Sequence, residues 1–146
     1  MKINQCIMLL SSLWHCERGV SKNVLENVEQ ITGFKLPQDY KNFMQWSNGG
    51  EGVLKNIRLS FWPAEDLVSL NEDYKINEYL GKKVLAIGSD GGPICLLLDY
   101  RGNNDEPCFS SVNFGGLDSD EIKVIAPKFT LALELAIAGK IVGDDL

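Results

Sequence analysis

A single histidine, His15, stands in a chain of 146 residues. Ser–His or Cys–His nucleophilic catalysis would therefore rest on one side chain, which falls in a leading segment and reads as a helix-surface or semi-buried residue. Four cysteines, Cys6, Cys16, Cys95 and Cys108, show no C-x-x-C spacing. With one histidine beside them, they argue against a four-ligand zinc site. No window reaches the roughly 18 consecutive apolar residues that a membrane span needs. The glycine-rich pieces "SNGGEG" and "DGG" match neither G-x-x-x-x-G-K-[ST] nor G-x-G-x-x-G, and Glu51 and Asp90 would repel a phosphate there. "DYRGNNDEP" is rich in oxygen ligands but lacks the spacing and terminal glutamate of a calcium loop. The near-neighbour pairs Glu65–Asp66, Glu72–Asp73, Asp105–Glu106 and Asp120–Glu121 fall in turns or at helix starts, where carboxylates are at home without catalysis. The expectation is a protein with no enzymatic activity, no metal and no cofactor.

A basic excess is also missing. The formal charge is −6, and its placement is uneven. Met1 to Ser60 carries seven basic and five acidic residues, Phe61 to Glu121 carries four basic and twelve acidic, and the remainder balances. An acidic half repels phosphate backbones, which argues against nucleic acid, and attracts a basic protein while speeding the encounter. Acidity also keeps proteins soluble without any partner. The hydrophobic content of 45% and charged content of 23% are those of an ordinary globular domain. The length suits one domain with one core.

"MKINQCIMLLSSLWHCERG" has a basic start but too short an apolar run, and no cleavage site, for a secretion signal. It reads as a leading helix over residues 1–19, ahead of a core at about 20–139. Cys6, Cys95 and Cys108 sit in apolar settings as small buried or half-buried residues, which points to a reducing, cytoplasmic home.

Ser21 is a plausible N-cap, followed by Val24, Leu25, Val28 and Ile31 on one helical face; Gly33 ends that helix. Pro37 suits the first turn of a second helix, in which Tyr40, Phe43, Met44 and Ser47 share a face. The two form a helical hairpin with aromatic contacts. Asn48-Gly49-Gly50 then turns the chain. "VLKNIRLSFW" reads as one strand or two short ones, and Pro63 opens a helix continued, whole or broken, by Leu67, Leu70 and Tyr74. "KVLAIGSD" and "PICLLLDY" are strands joined at Gly91-Gly92, "RGNNDEP" is a loop, and "CFSSVNF" and "IKVIA" are further strand candidates. "PKFTLALELAIAG" is a closing helix with Leu131, Leu135 and Ala138 on its packed face, and residues 141–146 are expected to fray. This order predicts an α+β domain: a mostly antiparallel central sheet flanked by an N-terminal helical hairpin and a C-terminal helix.

Three pieces, "LPQDYKNFMQWSNGGEG", "FWPAEDLVSLNEDY" and "VLAIGSDGG", in this order and spacing, resemble the SUKH superfamily from about Val20 to about Ala138. These are immunity proteins of bacterial toxin systems, with relatives of the fungal cell-wall-assembly regulator. The recurring motif falls on Leu36, Pro37, Tyr40, Phe43, Asn48, Gly49, Gly50 and Trp62, positions that specify the fold. The resemblance implies an immunity protein that binds a toxin domain, often a nuclease, and blocks it by occlusion. The alternative is a non-catalytic regulatory scaffold or interaction module, and a small enzyme is a third reading.

An acidic face would dock on the basic surface of such a toxin. The candidate contact residues are Glu51, Glu65, Asp66, Asp73, Asp90, Asp105 and Glu106, with Trp62 and Tyr74 as aromatic anchors. Lys35, Lys41, Lys55 and Arg58 make the N-terminal part mildly basic, which confines the acidic face to one side. The chain itself is expected to be a monomer or weak homodimer.

Overall fold

Local hydrophobic patterning builds most of the architecture. The computed structural model describes residues 1–146. Helix α1 (Ile3–Leu10) is followed by a short strand β1 (Trp14–His15), then α2 (Lys22–Thr32) and α3 (Gln38–Trp46). A hairpin of β2 (Gly50–Leu54) and β3 (Ile57–Phe61) leads through a 3-10 turn at Ala64–Asp66 into α4 (Leu67–Asp73) and α5 (Ile76–Leu80). Then come β4 (Val84–Ser89), β5 (Ile94–Asp99), β6 (Cys108–Asn113), β7 (Lys123–Ala126) and α6 (Phe129–Ile137). The seven strands form one sheet in sequence order, every neighbouring pair antiparallel. The α+β domain expected from the element order is the one observed.

Side chains alternate across the sheet, as a period of two requires. On its inner face Leu85, Ile87, Leu96, Leu98 and Phe109 join the main core, which α1, α3 and α6 close with Leu10, Phe43, Met44, Phe129 and Leu133. On its outer face Val84, Ala86, Cys95, Leu97 and Val112 form a smaller core with Ile76 and Leu80 of α5. Trp62, Phe114, Leu117 and Ile122 pack over that second core. The aromatic contacts of α3 run to the sheet and to α6: the Phe43 ring meets Trp14, Phe61 and Phe129 edge-on, with centroids 5.5–5.6 Å apart.

Helix ends follow their caps. Ser21 accepts the Val24 N–H, and Gly33, at φ 76°, donates its N–H to Glu29. Pro37 stands at the N-cap of α3, one residue outside the first turn expected for it. Pro63 precedes a helix broken in two, with Tyr74 and Lys75 between the halves.

Four expectations need correction. The leading segment is a shorter helix plus a strand, so His15 lies exposed on β1 and not on a helix; Trp14 is buried, its indole N–H donating to the Gly49 carbonyl at 3.1 Å. Ile31 is exposed, because α2 turns only Leu25 and Val28 fully inward. The packed face of α6 is Phe129, Ala132, Leu133 and Ala136; Leu131 and Leu135 are half-buried and Ala138 is exposed. Residues 141–146 do not fray: a 3-10 turn at Gly143–Asp145 brings Leu146 into the core, and the Asp145 carboxylate accepts the Val142 N–H at 2.7 Å.

Candidate protein-binding face

The chain leaves β3 after only two pairs with β4, Ser60 opposite Ser89 and Phe61 opposite Gly88. That early exit frees the edge of β4 for α4 and sends Trp62 onto the outer face, two residues beyond Ser60 on the same side. Tyr74 ends α4, and Phe114 follows β6. The three rings meet. Trp62 and Tyr74 stack with planes 7° apart and centroids at 5.9 Å, and Tyr74 meets Phe114 at 4.6 Å and 32°. Tyr74 in the middle is 43% exposed, with the half-buried Trp62 and Phe114 on either side. Trp62 and Tyr74 were candidates from the sequence; Phe114, which completes the ladder, was not.

Beside the ladder lies a polar hollow of about 580 Å³, lined by His15, Glu17, Arg18, Asn48, Glu51, Ser60, Pro63 and Glu65. Strand register builds it: Glu51 lies opposite both His15 and Ser60. The "SNGG" piece frames it. The Ser47 hydroxyl donates to the Gly49 carbonyl at 2.7 Å and accepts the Glu17 N–H at 3.0 Å. The Asn48 side chain accepts the Ala64 N–H at 2.8 Å and donates to Glu65 at 2.7 Å. The motif asparagine thus ties the turn after α3 to the start of α4, and it holds Glu65 in place.

The structure brings part of the candidate set together. Glu51 and Glu65 share the hollow, and Asp66 and Asp73, both exposed, stand at the two ends of the helix that leads to Tyr74. Asp90 turns inward on its own hairpin, accepting the N–H groups of Gly92 and Ile94. Asp105 and Glu106 stand apart. They occupy the loop at the far end of β5, beside a hollow that also takes in Pro37, Asp39 and Thr130, and each faces a lysine: Lys35 at 3.8 Å and Lys128 at 3.9 Å.

Ion pairing sharpens the contrast. Of the twelve acidic residues from Phe61 to Glu121, three pair with a cation of the chain: Asp99 with Arg101, and the two just named. The remaining nine, including Glu65, Asp66, Glu72, Asp73, Asp118, Asp120 and Glu121, form no ion pair, although Arg101, already paired with Asp99, also donates to the Ser119 carbonyl between Asp118 and Asp120 at 3.0 Å. In the N-terminal part Glu26, Glu29 and Glu51 are each matched, by Lys22, Lys41 and Arg58, and Glu17 lies 3.7 Å from the His15 ring. Seven of these nine lie in segments next to the ladder in sequence: residues 65–73 lead into Tyr74 and residues 118–121 follow Phe114, while Glu78 and Asp90 lie elsewhere.

Cys95 lies in the small core beneath the rings, and burial pushes its thiol up to about 12, so it stays protonated. No group of three or more His, Cys, Asp and Glu side chains is arranged to hold a metal ion. No helix is long and apolar enough to cross a membrane.

No curated protein matches the chain. A family model does, over most of its length and over nearly the span that the three sequence pieces mark out. With residues 19–134 matched, the chain belongs to the SMI1/KNR4 family (SUKH-1).

Proposed function

We propose that this protein is an immunity protein: it binds one cognate protein toxin and neutralises it by occlusion, the target being a basic domain, a nuclease above all. One observation carries the proposal. Nine carboxylates between Glu65 and Glu121 form no ion pair within the chain, while Glu26, Glu29 and Glu51 of the N-terminal part each pair with a lysine or arginine. Unmatched like charges repel one another and destabilise the compact state. A basic partner that neutralises them relieves that repulsion and is steered to them over long range. Membership of the SUKH-1 family supports the class of function. The mechanism needs no reaction: a surface that covers the toxin's nucleic-acid-binding face excludes its substrate. All four cysteines are unpaired, which supports action in a reducing cytoplasm.

The test is co-expression. The C-terminal domain of the protein encoded immediately upstream is produced with and without this chain, and growth and co-purification are scored. The expected result is toxicity relieved by a stoichiometric complex whose association rate falls as salt rises. A harmless neighbour, or rescue without a complex, would overturn the occlusion mechanism.

A further inference from the structure

We infer that the docking surface is the outer face of the sheet at the Trp62–Tyr74–Phe114 ladder, and that its occupant is a segment of a protein partner bearing lysine or arginine. The inference rests on the immunity reading for the partner being a protein; the choice of surface rests on geometry. Three rings from separate parts of the chain converge in one strip, and the middle one is 43% exposed. Two sides of an aromatic strip can be spent on the core, and here Trp62 and Phe114 do that against Ala86, Cys95, Leu97 and Val112. The Tyr74 ring contributes little to that core and keeps much of its surface in water.

Charge selects the occupant. Asp73 immediately precedes Tyr74, and Asp118, Asp120 and Glu121 follow Phe114 on a segment whose Leu117 and Ile122 pack onto the same outer core and whose Ser119 carbonyl accepts from Arg101 at 3.0 Å. Acidic residues thus adjoin the strip in sequence at both Tyr74 and Phe114. Lys75, the nearest cation in sequence, lines a different hollow together with Glu72, Ile31, Phe34 and Val68. An ammonium or guanidinium group placed over the rings meets π faces and carboxylates at once. A nucleic acid is repelled by the same charges. A second copy of this chain is disfavoured too, since a twofold pairing would set the acidic strip against itself.

The experiment has two arms. In the first, a hexa-arginine peptide is titrated into the isotopically labelled protein and amide and indole N–H shifts are followed. The expected shifts fall on the Trp62 indole, on residues 72–74 and on residues 114–118, and they vanish at high salt. Shifts centred on the Asp105–Glu106 loop or on the exposed Met8–Leu9 face of α1, or spread evenly, would overturn the inference. In the second, Tyr74→Ala and Asp73→Lys, both at exposed positions, are tested for complex formation with the upstream-encoded domain, with Glu106→Lys as the distant control. The two variants should weaken binding by roughly tenfold or more while the control stays within about twofold. Equal binding by all three would remove this surface and leave the immunity reading standing. Failure of the unaltered chain to bind that domain would remove the immunity reading, and the peptide map would still decide the surface.

Discussion

The side-chain amide of Asn71 pairs with the backbone of Ala86 as a neighbouring strand would: Oδ1 accepts the Ala86 N–H at 2.9 Å, and Nδ2 donates to the Ala86 carbonyl at 2.9 Å. The same Nδ2 donates to Leu67 within α4 at 2.7 Å. β3 has left the sheet by this point, and without Asn71 the edge of β4 would be buried with unpaired groups. Asn71→Leu should therefore cost about 2–4 kcal/mol, since it strands a buried donor and acceptor together. Urea unfolding would show the loss as a lower midpoint with an unchanged slope. A midpoint equal to that of the unaltered protein would show that water replaces the amide.

Asp39 holds the closing helix from a distance. One carboxylate oxygen accepts both the Thr130 N–H at 2.9 Å and the Thr130 hydroxyl at 2.6 Å, across 91 residues. Lys128 stands at the N-cap of α6 without a side-chain cap of its own, so Asp39 supplies from α3 what a local serine or aspartate supplies elsewhere. Asp39→Ala should cost about 1–2 kcal/mol, the range of a lost cap. Asp39→Asn keeps an acceptor oxygen and should lose less than half of that. Equal losses in the two variants would assign the effect to charge and not to capping.

These two links mark the boundary of what the sequence discloses. The hairpin closed at Gly91-Gly92 is legible because alternation and turn residues are local signals, whereas the one from Gly50 to Phe61 shows in the sequence only as one strand or two short ones, its first strand starting inside the glycine turn. Helix α6 is legible as a helix, but its packed face is not. It is apolar nearly all round, so the period points nowhere, and Leu131 and Leu135 lose to Phe129 and Leu133. Trp14 sits on a strand of two residues, too short to show a period. At the candidate site, Trp62 stood out as an aromatic between a strand and a helix, and Tyr74 as an aromatic within the helix that follows. Their stacking, and the arrival of Phe114, depend on where β3 leaves the sheet and where β6 ends, and neither has a local signature.

Alkaline pH should weaken the fold through groups buried in neutral form. Burial raises Cys95 from 9.0 to about 12, and raises the Tyr40 and Tyr100 hydroxyls above their ordinary 10.0. Between pH 9 and 12 the unfolded chain gives up the Cys95 proton while the folded chain keeps it. The stability present below pH 9 is therefore lost as pH rises, by at most about 1.4 kcal/mol per pH unit for each such group. The tyrosines join above pH 10 and steepen the fall. Urea midpoints measured from pH 7 to 10.5 should stay level to about pH 8.5 and then decline. Cys95→Val, which keeps the volume and removes the proton, should flatten the first part of that decline; an unaltered slope would exclude Cys95 as its source.

Two glycines with nearly the same backbone angle should respond very differently to a methyl group. Gly33, at φ 76°, ends α2 with open space around the position of a Cβ. Gly49, at φ 78°, lies in the motif turn, where a Cβ would stand 2.5 Å from the Phe61 carbonyl oxygen and 2.9 Å from the Trp62 carbonyl carbon. The left-handed backbone alone costs an L-residue about 1 kcal/mol, so Gly33→Ala should lose about that much. At Gly49 backbone must also move, and the backbone in the way is the segment that carries Trp62 onto the outer face. Gly49→Ala should thus lose at least about 3 kcal/mol in all, the strain and overpacking terms added together. It should also change Trp62 fluorescence in whatever fraction still folds, because the ladder's first ring shifts with its backbone. Equal losses at the two positions would mean that the turn yields freely, and that Gly49 is required only for its angle.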